Sequence, residues 1–143
     1  MISIEDIMTS RLHTLKASST VEHASDLMKE HAIRHIPVVN DFGRLLGLVT
    51  QRDILAATSP LGKRQPEEIS ASLTYVMNRQ LITISRDTRL TSAASLLQKH
   101  RIGCLPVVEK EKLIGLVTDS DFVTIAIHLL EQLEMVEPVE DVY

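Results

Sequence analysis

Apolar positions in this chain fall into two kinds of pattern, and each kind occurs twice. Val21, Ala24, Leu27 and Met28 recur at helical spacing, as do Leu90, Ala93, Leu96 and Leu97. Ser19 and Glu22, spaced as a capping box, predict where the first of these helices starts. The other pattern is the short apolar run. Residues 12–15 and 81–84, ahead of the helices, predict a strand in each case. Beyond the helices, residues 36–39 and 45–49 flank the turn at 40–43, and residues 105–108 and 113–117 flank the turn at 109–112. Two such runs about a turn predict a hairpin. Pro37 and Pro106 begin their runs and give no ladder hydrogen bond there, which places them at a strand end or edge. A further helix is predicted to start near Asp53 and near Asp121.

The order is therefore βαββα, twice. When residues 8–39 are aligned with residues 77–108, Met8, Leu12, Thr14, Ala24, Leu27, His31, Ile33 and the Pro37-Val38-Val39 run all meet identical residues. One residue is then missing from the second copy, at the hairpin turn, where a length change is tolerated. After it, Gly47-Leu48-Val49-Thr50-Gln51-Arg52-Asp53 meets Gly115-Leu116-Val117-Thr118-Asp119-Ser120-Asp121. The expected organisation is a first repeat at 1–57 and a connection at 58–72 broken by Pro60, Gly62 and Pro66. A second repeat at 73–134 and an acidic tail at 135–143 follow. The last helix carries Phe122, Ile125, Ala126, Leu129, Leu130 and Leu133 as a continuous apolar stripe. It packs over the partner repeat or, as preferred here, serves in part as a dimer interface.

The duplicated Gly-x-x-Thr-x-x-Asp has a chemistry of its own. It lies where a strand passes into a helix, and a helix start favours an anion. A Thr hydroxyl there can donate to a phosphate oxygen, and an ionised Asp can accept from the two adjacent hydroxyls of a ribose. Thr and Asp also serve as ordinary helix caps. Capping alone would not require both residue types in both copies, since Ser or Asn caps equally well.

The repeat, with Ile-x-His-Ile-Pro-Val-Val and Gly-Leu-Val-Thr-x-x-Asp in the first copy, resembles a cystathionine-β-synthase (CBS) domain, and the tandem resembles a CBS pair, or Bateman module. The resemblance covers roughly residues 2–130 and extends to small stand-alone pairs, including the CBS part of acetoin-utilisation-type proteins. It implies an α/β (α+β) fold of two pseudo-twofold related repeats packed sheet to sheet, with clefts between them for AMP, ADP, ATP or S-adenosylmethionine. Carried over, Asp53 and Asp121 hold ribose and Thr50 and Thr118 contact phosphate. Thr14-Leu15, Thr83-Ile84, Ile36-Pro37 and Leu105-Pro106 touch the base. The sites differ in charge: Arg52 and the Arg34-His35 pair would suit phosphates at the first, and Asp119 would repel them at the second.

Composition narrows the choice of function. The net charge of −4 and the lack of a Lys/Arg run argue against nucleic acid. No apolar run has the roughly 18 residues of a membrane span, and no export signal is read at the acidic N-terminus. Cys104 stands alone, which fits a reducing cytoplasm, and it reads as core packing. His31 and His35 are spaced i, i+4, but residues 33–37 turn to strand, so no metal site is expected among the six histidines. No base and nucleophile fall together, so the chain is read as non-enzymatic, without a catalytic cofactor. The expected function is a sensor taking an adenosine nucleotide or S-adenosylmethionine as regulatory ligand. It would be a homodimer acting on a regulated protein. The alternative is a ligand-free dimerisation or scaffold module.

Overall fold

The computed structural model describes residues 2–58 and 66–136. Pro60, Gly62 and the acidic tail beyond residue 136 lie outside them. In chain order the elements are α1 (Ile4–Ile7), α2 (Val21–His31), β1 (His35–Val39), β2 (Leu45–Thr50), α3 (Gln51–Ala57) and α4 (Pro66–Ile69). A 3₁₀ turn (Leu73–Tyr75), α5 (Leu90–His100), β3 (Cys104–Glu109), β4 (Lys112–Thr118) and α6 (Asp119–Val136) complete them. The fold is mixed α+β, with two small antiparallel sheets, β1–β2 and β3–β4.

Several local expectations shift. Residues 12–15 and 81–84 do not form strands: each makes one parallel bridge, Leu15 to Val38 and Ile84 to Val107. Leu15 donates its N–H to the Pro37 carbonyl and accepts from the Val39 N–H, and the segment then leaves the sheet. The N-cap of α2 is Thr20, not Ser19: its hydroxyl accepts from the His23 N–H at 3.1 Å, and Glu22 takes no part. α3 and α6 begin at Gln51 and Asp119, two residues before the expected aspartates. Pro66, read as a breaker, opens α4 as its first residue, where no N–H is needed.

The two hairpins differ where the repeat loses its residue. After Val39, the Asn40 side-chain oxygen accepts from the N–H groups of Phe42 and Arg44, and Gly43 takes φ 79°. The second hairpin closes Glu109 against Lys112 through Lys110 and Glu111 alone, at φ 49° and 68°. Two positive φ values in a two-residue loop match the strand twist that such hairpins need.

Each repeat closes the core of the other. Leu73 is fully buried among Leu15, Val21, Ala24, Met28, Ile36, Val38, Val49 and Ile54 of the first repeat. Its counterpart Ile4 is fully buried among Ile84, Ala93, Leu97, Leu105, Val107 and Val117 of the second. The chain that follows crosses over in the same way: Thr9 pairs with Leu116 on β4, and Asn78 with Leu48 on β2. The crossing explains the motif's first residue. A Cβ on Gly47 would lie 2.8 Å from the Met77 sulfur, and one on Gly115 would lie 2.5 Å from that of Met8. These glycines make room for the exchanged segments. Leu48, Cys104 and Leu116 form a small third cluster between the sheets.

Candidate ligand-binding cleft

Both Thr/Asp turns are built by their own backbone. Thr50 ends β2 in an extended conformation and caps α3. Its hydroxyl accepts from the Asp53 N–H at 3.1 Å, and Asp53 Oδ2 accepts from the Thr50 N–H at 2.8 Å. At the second turn Asp121 Oδ2 accepts from the Thr118 N–H at 2.8 Å and from its hydroxyl at 3.2 Å. The capping role is real, and it uses one carboxylate oxygen. Oδ1 of Asp53 and of Asp121 takes no hydrogen bond among the described residues. Each half-buried aspartate thus keeps an oriented acceptor, held in place by its cap.

The turns open on one continuous cleft of about 1530 Å³. Single small-molecule sites run to roughly 300–1,000 Å³, so this space admits more than one small ligand or one long one. Of the residues expected at a site, Arg34, His35, Thr50, Arg52, Asp53, Pro106 and Thr118 line the cleft. Asp121, three residues after Thr118, is not part of the wall. Leu15, Ile84, Ile36, Pro37 and Leu105 are buried in the packed interior, and Thr14 and Thr83 are exposed outside the wall. Their chain neighbours line the cleft instead, Leu12 and His13 on one side and Leu81 and Ile82 on the other.

Several lining residues had no signal in the repeat. Arg11, Arg101, Gln80 and Gln98 differ from their counterparts, so a comparison of the copies passes over them. Arg101 and its counterpart Ala32 each hold the left-handed conformation, φ 52°, that ends α5 and α2. His31 and His100, the last residues of those helices, sit where a partial negative charge favours a basic side chain. The His31 ring stacks on His13 with centroids 3.7 Å apart. No group of three or more metal-capable side chains occurs among the described residues.

The turns meet at His35, which pairs with Thr50 across the first hairpin. The position a Gly103 Cβ would occupy lies 3.4 Å from His35 Nε2 and 3.7 Å from Asp119 Oδ2. Burial holds the His35 imidazole below its ordinary pKa; Asp119 and Asp53 pull upward and Arg34 pushes down. Cys104, its counterpart, is buried at the start of β3. Burial first, then Asp121 and Asp119, push its thiol up to about 12. It is no nucleophile near neutral pH.

The CBS-domain family model matches residues 4–59 and 71–128. A CBS domain-containing protein of Bacillus subtilis, YhcV, is 34% identical over 121 residues, covering 85% of this chain and 83% of its own. A homoserine O-acetyltransferase of Methanococcoides burtonii is 34% identical over 120 residues, 83% of this chain, of which the chain spans only 23%. Among solved structures, a Vibrio cholerae protein assigned to acetoin utilization (AcuB) is 46% identical with a TM-score of 0.80, covering 96% of this chain and 99% of that one. CBSX2 in complex with AMP is 31% identical with a TM-score of 0.79, over 91% and 99% of the two chains. The CBS pair of protein MJ0100 in complex with methylthioadenosine and S-adenosylmethionine is 25% identical with a TM-score of 0.76, over 87% and 99%.

Proposed function

This chain belongs to the CBS-domain family, and on that premise we propose that it is a non-enzymatic sensor binding an adenosine-type ligand in the cleft between its repeats. One observation carries the reading. Two equivalent turns each hold an aspartate with one oxygen fixed by the turn and the other unpaired among the described residues, and the cleft is lined by Asp53 at the first turn and by Thr118, Asp119 and Ser120 at the second. A ribose diol suits such an acceptor. That CBSX2 holds AMP and the MJ0100 pair holds S-adenosylmethionine supports the ligand class. The sensor responds when the ligand favours one relative arrangement of the repeats over another, and a regulated protein reads the change. The proposed setting is the cytoplasm; no helix among the described residues is long and apolar enough to cross a membrane.

The second reading, a ligand-free dimerisation or scaffold module, draws on α6. Val123, Ile127, Leu129, Leu130 and Leu133 are each about half exposed, and nothing in the described chain covers them. An exposed apolar face of this kind marks an interaction surface. Its proposed occupant is a second copy, and dimerisation is compatible with either reading. A thermal-shift series with AMP, ADP, ATP and S-adenosylmethionine separates the two. A ligand at 100 times its dissociation constant adds about 2.7 kcal/mol to stability. A flat response to all four leaves the scaffold reading standing and removes the sensor.

A further inference from the structure

The cleft carries a charge that the rest of the molecule does not. Arg11, Arg34, Arg52 and Arg101 line it, against Asp53 and Asp119, in a chain of net charge −4. None of the four guanidinium groups takes an ion pair or a side-chain hydrogen bond among the described residues. Both acids are already engaged, Asp53 by the Thr50 N–H and Asp119 by the Ser120 N–H. The two turns differ: Arg34 and Arg52 of the first are replaced by Gly103 and Ser120 at the second. Arg11 follows Thr9, which pairs with Leu116 on β4, and Arg101 ends α5; their counterparts are Gln80 and Ala32. Arg34 and Arg52 flank the same turn: the Arg34 carbonyl accepts from the Gln51 N–H at 2.9 Å, and Arg52 is the second residue of α3. The equivalent turn has Gly103 in place of Arg34 and begins α6 with Asp119 and Asp121.

Resting on the adenosine reading above, we infer that the cleft holds one nucleoside di- or triphosphate per chain, its phosphates on the turn at residues 50–53. The turn at residues 118–121 takes only a ligand of lower negative charge. Guanidinium–phosphate hydrogen bonds are charge-assisted and often bidentate, so each added phosphate gains at the first turn. The same phosphates beside Asp119 meet a like charge, which opposes binding. Two polyphosphates in one cavity would also repel each other. Arg34 and Arg52 are then the specificity-determining residues, favouring polyphosphate over the cationic sulfonium nucleoside.

Calorimetric titration with ATP and with AMP, both in EDTA at physiological ionic strength, tests the inference. ATP is expected at close to one per chain and about tenfold more tightly than AMP. Arg52→Ala and Arg34→Ala are each expected to weaken ATP by roughly three- to tenfold and AMP little, the modest size reflecting solvent exposure. The double variant Asp119→Asn, Ser120→Arg is expected to raise the ATP stoichiometry toward two. ATP bound at two equal sites of the native chain, or AMP bound as tightly as ATP, overturns the inference and leaves the adenosine reading intact. No heat from either nucleotide, with circular dichroism confirming the fold, overturns both.

Discussion

Asp53 is at once a helix cap and, in the reading above, a ribose acceptor, and the two roles use different oxygens. Asn in its place keeps one oxygen for the cap and turns the other into a donor NH₂. Asp53→Asn is therefore expected to keep the hydrogen bond from the Thr50 N–H, to cost about 0.3–1 kcal/mol of stability for the charge removed from the first turn of α3, and to lower nucleotide affinity about 10- to 100-fold. Equal affinity in calorimetric titration would confine Asp53 to capping. His35 is a second residue with an opposite preference in its two states. Its native pKa is depressed, mainly by burial, so the unfolded chain binds the proton more readily. Above about pH 6.5 both states are neutral and the group contributes nothing; as pH falls below that value the unfolded state is favoured and stability is lost. Urea melts between pH 7 and 5 should show a slope that His35→Gln reduces; an unchanged slope would sink the assignment. These residues were legible to different degrees. Thr50, Asp53, Thr118 and Asp121 stood out because they occur twice. Arg11 and Arg101 did not, because comparing the copies reveals only what they share, and here the charge lies in what they do not.

Helices were the elements read most directly, since an amphipathic period of several turns leaves little room for another assignment. Their ends were displaced by one or two residues because Ser19, Thr20 and Glu22 offer overlapping capping patterns, and only the backbone at Thr20 selects one. The hairpins followed from paired apolar runs. The segments at 12–15 and 81–84 look the same in sequence as short strands. What limits each to a single bridge is the crossing from one sheet to the other, a tertiary demand that local pattern does not contain. α6 extends the pattern beyond what one repeat needs, and its apolar face is uncovered along Val123, Ile127, Leu130 and Leu133. Leu130→Glu puts a charge on that face with no buried neighbour to disturb. The expected result is a native-like circular dichroism spectrum and a loss of dimer by sedimentation equilibrium at tens of micromolar. A native chain that sediments as a monomer would remove the proposed interface.

Across the whole molecule, the repeat predicted two similar halves but not their exchange of segments. Leu73 and Ile4 are isolated apolar residues ahead of any regular pattern, so nothing in their neighbourhood says which core receives them. Each half is about 60 residues, a size at which a core is marginal alone. The exchange adds one large side chain to each from the other's chain. Leu73→Ala opens a hole in the first core while leaving its backbone hydrogen bond to the Ser19 carbonyl intact. Such deletions cost about 2–5 kcal/mol. If the halves were independent, the loss would fall on the first alone and the second would unfold as before. Because residues 4–9 tie the first repeat's chain into the second core, and residues 73–78 do the converse, opening either half withdraws packing from the other. Hydrogen exchange in rising denaturant should therefore show β1–β2 and β3–β4 losing protection together in Leu73→Ala, at one lowered midpoint. Two separated midpoints would mean that the exchanged segments do not couple the cores. The relative movement of repeats needed for sensing would then have to be sought within each half, rather than between them.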